Sequence, residues 1–172
     1  QMAANFIMGI CKDKDINISY FDLYSCFPVA VQMFADTLGI KDISNSTITG
    51  GMSFAGGPLN SYVLHSTIKM IKKLRKNDNN AGVVTGVSGM MTKQSFSLWA
   101  KNPIIEFLHK DFSKEARINE IPLDLSEANK GSGKIIGYTT IHNKNPKAII
   151  FIKDKFNAKC ISSRKKSVLF DK

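Results

Sequence analysis

Residues 46–64 read STITGGMSFAGGPLNSYVL, a glycine-rich loop feeding a helix. Gly50, Gly51, Gly56 and Gly57 can take backbone angles closed to other residues, and they carry no side chain to hold a ligand at a distance. Pro58 stiffens the end of the loop, and Asn60 or Ser61 is placed to cap the helix that follows. Paired glycines before a helix mark a place where backbone comes close to something, either a ligand or a neighbouring strand in a tight strand-to-helix connection.

Working outward, an N-terminal helical stripe (Met2, Phe6, Ile7, Ile10) precedes a β-type run over 18–23, with Asp22 and Tyr24 at its C-terminal end, where α/β folds place their sites. Pro28 opens a second helix with Val29, Val31, Phe34, Ala35 and Leu38 available for burial, and Gly39 stops it. The helix over about 60–75 offers Val63, Ile68, Ile71 and Leu74 to a core, and its end carries Lys69, Lys72, Lys73, Arg75 and Lys76 beside the negative pole of the helix dipole. Runs 81–87 and 95–100, with Ser88-Gly89 near the bend, read as neighbouring antiparallel strands. Helices alternating with strands in this order predict a layered α/β domain. Composition shifts after Pro103, residues 111–134 are polar, and 134–141, 148–152 and 156–162 read as three short strands.

The 172 residues, 43% of them hydrophobic, can bury a substantial core. Opening at Gln1 on what reads as mid-helix is the pattern of a fragment or processed chain, and with no apolar run near the roughly 20 residues that span a bilayer, a soluble chain is expected. The net charge of +10 divides as +3 over residues 1–107 (10 Lys and Arg, 7 Asp and Glu) and +7 over 108–172 (14 against 7). A basic tail can meet nucleic acid, a membrane surface or an anionic cofactor, or it can be a solvated face of a Lys-rich composition. Cys11, Cys26 and Cys160 have no metal-ligand spacing, so no metal site is expected, and an odd, scattered set fits a reducing compartment such as the cytoplasm.

Two segments, FDLYSCFPVAVQMFADTLGI (21–40) and ITGGMSFAGGPLNSYVLHS (48–66), together resemble the C-terminal half of the thiolase superfamily, in particular the branch labelled acetyl-CoA acetyltransferase or thiolase-like protein type 1. The first segment of that family holds Asn-Glu-Ala-Phe or His-Asp-Cys-Phe, where Tyr24-Ser25-Cys26-Phe27 stands here. The second holds Gly-Gly, a spacer and Gly-His-Pro-Leu-Gly, where Gly50-Gly51 and Gly56-Gly57-Pro58-Leu59-Asn60 stand here. A third motif, Cys-x-Gly, falls on Gly86-Val87-Ser88-Gly89. The resemblance implies a thiolase-type layered α/β/α half-domain over 1–107, truncated at its start, then a linker over 108–133. Over 134–172 it implies a small, incomplete β module of oligonucleotide-fold type, carried by Ile135-Ile136-Gly137-Tyr138-Thr139-Thr140-Ile141-His142.

In that family, a Cys from the N-terminal half takes the acyl group from acyl-CoA. The His of Gly-His-Pro activates that thiol, and the Cys of Cys-x-Gly is the acid/base at the α-carbon. Here Gly57 replaces the His, Gly86 replaces that Cys, and Tyr24 replaces the Asn or His. Losing one acid/base group costs about 10²–10⁴ in rate. The resemblance thus implies an acyl-CoA binder without ordinary thiolase catalysis, with Gly50, Gly51, Gly56, Gly57 and Ser88 at the coenzyme A site. Coenzyme A or acyl-CoA would be a ligand and not a resident cofactor, and the role would lie in lipid metabolism. Tyr24 is the one catalytic candidate, as a hydrogen-bond donor or a plain strand-end tyrosine. Cys26 is read as a core thiol, His65 as a packing histidine, and Lys93 as a surface charge or a phosphate neighbour; His109 and His142 receive no role. The partners implied are acyl-CoA, a missing N-terminal thiolase half and a second copy of the chain. The rival reading is a nucleic-acid or protein interaction module in the basic tail, where Tyr138, Phe151, Phe156 and Phe170 could stack bases.

Overall fold

The run AGVV at 81–84 is buried along its whole length, so it needs cover on both faces. The computed structural model describes residues 1–76, 81–103, 106–119, 125–126, 133–142, 144, 147–153 and 158–163. Its contacts divide the chain into two units, Gln1–Phe112 and Ser113–Lys172.

In the first unit, α1 (Met2–Asp13) leads to β1 (Ile18–Asp22) and α2 (Pro28–Leu38). Pro28 sits in the first turn of α2 and Gly39 ends it in the left-handed conformation, φ +70°, as the two residues' backbone preferences require. A short 3₁₀ turn (Ile43–Ser46), the four-residue α3 (Met52–Ala55) and a second 3₁₀ turn (Leu59–Ser61) carry the chain to α4 (Tyr62–Leu74). Then β2 (Ala81–Ser88) and β3 (Met90–Ala100) form a hairpin turning on Gly89 at φ +68°. The sheet order is β1-β2-β3, with β1 parallel and β3 antiparallel to β2.

Because successive strand residues face opposite ways, Val83 and Val84 feed two cores. Val83 joins Ala4, Ile7 and Cys11 of α1 and Ala30, Phe34, Ala35 and Leu38 of α2, with Phe96 and Leu98 of β3 beside them. Val84 joins Met70 and Leu74 of α4, with Tyr20 and Trp99. The result is an α/β/α sandwich, as expected.

Three local expectations are corrected. Val29 is 50% exposed and Ala30 is fully buried, because the inward face of α2 is Ala30, Phe34, Ala35 and Leu38 and Val29 lies off it. Ile68 is 53% exposed, and the inward stripe of α4 is Tyr62, Ser66, Met70 and Leu74. A reading by hydrophobicity passes over Ser66, yet its hydroxyl has a buried partner (below). Ser61 occupies the N-cap position of α4 without capping it; its hydroxyl donates to the Pro58 carbonyl at 2.8 Å, since the preceding 3₁₀ turn already continues the helical path.

In the second unit, α5 (Ser113–Asn119) and the two-residue β4 (Leu125–Ser126) fall within 108–133, the stretch read as a linker. The strands β5 (Lys134–Ile141), β6 (Lys147–Lys153) and β7 (Ala158–Ser163) follow. The sheet order is β4-β7-β6-β5, antiparallel except for β4 with β7. Phe156 and Phe170 lie outside the described residues. Among the described residues no helix is long and apolar enough to cross a membrane.

Candidate functional site

Where β1 ends, the chain places a carboxylate in the interior: Asp22 is fully buried. A buried carboxylate persists only if donors surround it. Its Oδ2 accepts from the backbone N–H of Ile48 at 3.1 Å and of Thr49 at 2.8 Å, with Thr47 Oγ1 at 3.4 Å. Its Oδ1 has the hydroxyls of Thr49 at 3.3 Å, Tyr62 at 3.3 Å and Ser66 at 3.1 Å. Burial pushes the Tyr62 phenol up, the Asp22 charge adds to that, and hydrogen bonds with Thr49, Ser25 and Ser66 oppose it.

The glycine-rich loop is tied down at three points. Its entry is held where Leu23 N donates to Ser46 O at 2.9 Å. Its middle is held by Asp22. Its exit is held where Met52 N donates to Ser25 Oγ at 2.8 Å, which joins the Tyr24-Ser25-Cys26-Phe27 motif directly to the second motif.

Gly50, Gly51 and Gly56 all have positive φ, at +96°, +76° and +81°, so glycine is needed for conformation as well as room. A Cβ on Gly51 would stand 3.1 Å from Ser25 Oγ, and this residue is buried. Gly50, Gly56 and Gly57 are exposed, and only Met52 Cε, 3.0 Å from where a Cβ would stand, crowds Gly57. At Gly50 the Phe54 ring stands 2.8 Å from where a Cβ would be, so open bare backbone is presented to solvent at the C-terminal end of α3, at Gly56 and Gly57.

Tyr24 is half-buried. Its N–H donates to Thr85 Oγ1 at 2.9 Å, and its ring meets that of Tyr62 edge-on, centroids 5.5 Å apart. One residue beyond Thr85, a Cβ on buried Gly86 would stand 2.7 Å from Ser95 Oγ and 3.3 Å from Val63 Cγ2. Ser88, exposed at the hairpin bend, lies three residues past Thr85, roughly 10 Å along the strand at about 3.3 Å per residue. Cys26 is partly buried against the α1/α2 core, as expected of a core thiol. His65 is exposed on α4, so it does not pack as expected. Lys93 and His109 are exposed, and His142 Nε2 lies 2.9 Å from Thr140 Oγ1. Among the described residues no cluster of His, Cys, Asp or Glu could hold a metal ion.

Sequence reading noted Asp22 without giving it a role, and it missed Thr47, Thr49, Tyr62 and Ser66. The available signal was an acid ending an apolar strand together with Thr-x-Thr directly before Gly-Gly.

No family model and no curated protein matches the chain. Among solved structures, it is similar to that of a monomeric SCP2-thiolase like protein type 1 from Mycobacterium smegmatis, with 25% identity and a TM-score of 0.75. The match covers 87% of this chain, more than the first unit alone. It covers 35% of the other, so this chain spans about a third of that protein's length. The α/β/α unit that holds Asp22 and the glycine-rich loop thus has a thiolase-like fold.

Proposed function

We propose that this chain is the C-terminal part of a thiolase-like, acyl-CoA-binding protein of the acyltransferase superfamily, one that has lost ordinary thiolase catalysis. The observation that carries the reading is the pair Gly57 and Gly86. Neither can exchange a proton, and the space a side chain would need at Gly86 is taken by Ser95 and Val63. Binding is supported by the exposed backbone of Gly56 and Gly57, along which a pantetheine arm or acyl chain could run. The net charge of +10 favours the phosphates of coenzyme A. A cytoplasmic place in lipid metabolism, an N-terminal half as partner and self-association belong to the same proposal.

The test is calorimetric titration of the full chain with acetyl-CoA, run beside a thiol assay for released coenzyme A. Binding without release is the expected result. Absence of binding overturns the reading, and turnover with release overturns the loss of catalysis.

For the nucleic-acid alternative there is the +7 charge of residues 108–172, but the arrangement of the described aromatics adds nothing to it. In the second unit, Tyr138 is 78% exposed, but it pairs with Ile150 while Phe151 pairs with Gly137. Adjacent register positions point to opposite faces, so these two aromatics form no common stacking platform.

A further inference from the structure

We infer that Asp22 is a positioning residue, which sets the glycine-rich loop in its binding conformation by acting as a fixed acceptor; the inference rests on the acyl-CoA reading for what the loop binds. The two carboxylate oxygens divide their work. Oδ2 faces the loop, through Ile48 N, Thr49 N and Thr47 Oγ1. Oδ1 faces α4, through Tyr62 and Ser66, with the Thr49 hydroxyl joining the two sides.

The hold extends one step further. Thr47 Oγ1 in turn accepts the Gly50 N–H at 3.0 Å, and Thr49 Oγ1 accepts the Gly51 N–H at 3.3 Å. Both glycines have the positive φ values given above. Asp22 therefore fixes two hydroxyls, and these fix the two amides whose backbone only glycine adopts comfortably.

The two sides differ in chemistry. Backbone N–H groups can only donate, so the loop side requires an acceptor. Hydroxyls donate or accept, so the α4 side accepts an amide nitrogen as readily as a carboxylate oxygen. Asparagine at position 22 can turn its oxygen to the loop and its NH2 to Tyr62 and Ser66. Leucine, of similar size, leaves both amides unpaired.

The test uses the full chain and its Asp22→Asn and Asp22→Leu variants, reading amide hydrogen exchange residue by residue without ligand, then acetyl-CoA affinity. In Asp22→Leu, protection at Ile48, Thr49, Gly50 and Gly51 is expected to fall on the order of 100-fold, the scale of two lost hydrogen bonds to a charged group, while Val83 and Val84 keep theirs. Asp22→Asn is expected to stay within about tenfold of wild type at the loop, and to bind acetyl-CoA more tightly than Asp22→Leu does. Equal loss in both variants overturns the inference, because the charge and not the acceptor would then matter. Parallel loss at Val83 and Val84 overturns it too, because the role would be general stability. If Asp22→Leu does not fold, Thr49→Val takes its place. It removes the hydroxyl between Asp22 and Gly51, and it must release the Gly51 amide while sparing β2. Exchange is read without ligand, so failure of wild type to bind acetyl-CoA defeats the acyl-CoA reading alone.

Discussion

The thioether of Met70 fills the space that a side chain on Gly82 would occupy. Met70 is fully buried, so although its side chain is flexible it has nowhere to go, and α4 sits on β2 through this one missing methyl group. Gly82→Ala is expected to destabilise the chain by about 1–3 kcal/mol. In a Met70→Ala background the same change should cost clearly less, because the two residues share one volume. Urea unfolding of the four species measures the coupling, and strictly additive effects would contradict the packing described.

Gly86 invites the opposite experiment, placing there the cysteine that the thiolase resemblance would put at this position. With Ser95 Oγ and Val63 Cγ2 in the way, Gly86→Cys is expected to cost about 1–3 kcal/mol and to leave coenzyme A release from acetyl-CoA at background. Adding Ser95→Ala should recover part of the stability. A fully stable Gly86→Cys would show that Ser95 and Val63 leave room for a side chain at position 86.

Tyr62 gives the chain an alkaline limit. Its phenol is held above the ordinary value of 10.0, by burial first. Below that pH it is protonated both folded and unfolded and adds no pH dependence. Above it the unfolded chain releases a proton that the folded chain keeps, so folding stability falls as pH rises. Tyr62→Phe, which deprives Asp22 of a donor, should be less stable by about 1–3 kcal/mol at neutral pH, and its gap from wild type should narrow above pH 10. A gap that holds constant to pH 11 would remove the raised phenol from the account.

The cysteines should separate on alkylation. Cys11 is buried and burial pushes its thiol up, while Cys26 is half-buried. Iodoacetamide in native buffer is expected to label Cys26 well before Cys11, read by site-resolved mass spectrometry. Labelling in the reverse order would mean that the α1/α2 core opens readily.

The elements themselves were legible because residues with fixed backbone preferences mark their ends: Pro28 and Gly39 bound α2, and Gly89 turns the hairpin. The layered α/β class followed from alternating periodicities, and the α/β/α arrangement was what the thiolase resemblance implied. Faces were harder to read. Tyr62 and Ser66 point inward because Asp22 needs their hydroxyls, and a hydrophobicity reading assigns that stripe to Ile68 instead. The two motifs at 24–27 and 50–60 could be quoted from the chain, and the structure joins them through Ser25 and Met52. The polar hub could not be read in the same way, because its members are spread from residue 22 to residue 66 and meet only after β1, the loop and α4 are in place.

That spread has a kinetic side. The β2–β3 hairpin pairs near neighbours, with Ser88 opposite Met90, and closes quickly. In the parallel pairing of β1 with β2, Asp22 lies opposite Val84, 62 positions further along, and so β1 must close a far longer loop before any contact repays its entropy. The parallel β1–β2 pairing is thus expected to form after the hairpin, and until β1 is in place Ile48 and Thr49 lack the acceptor that Asp22 gives them in the native state.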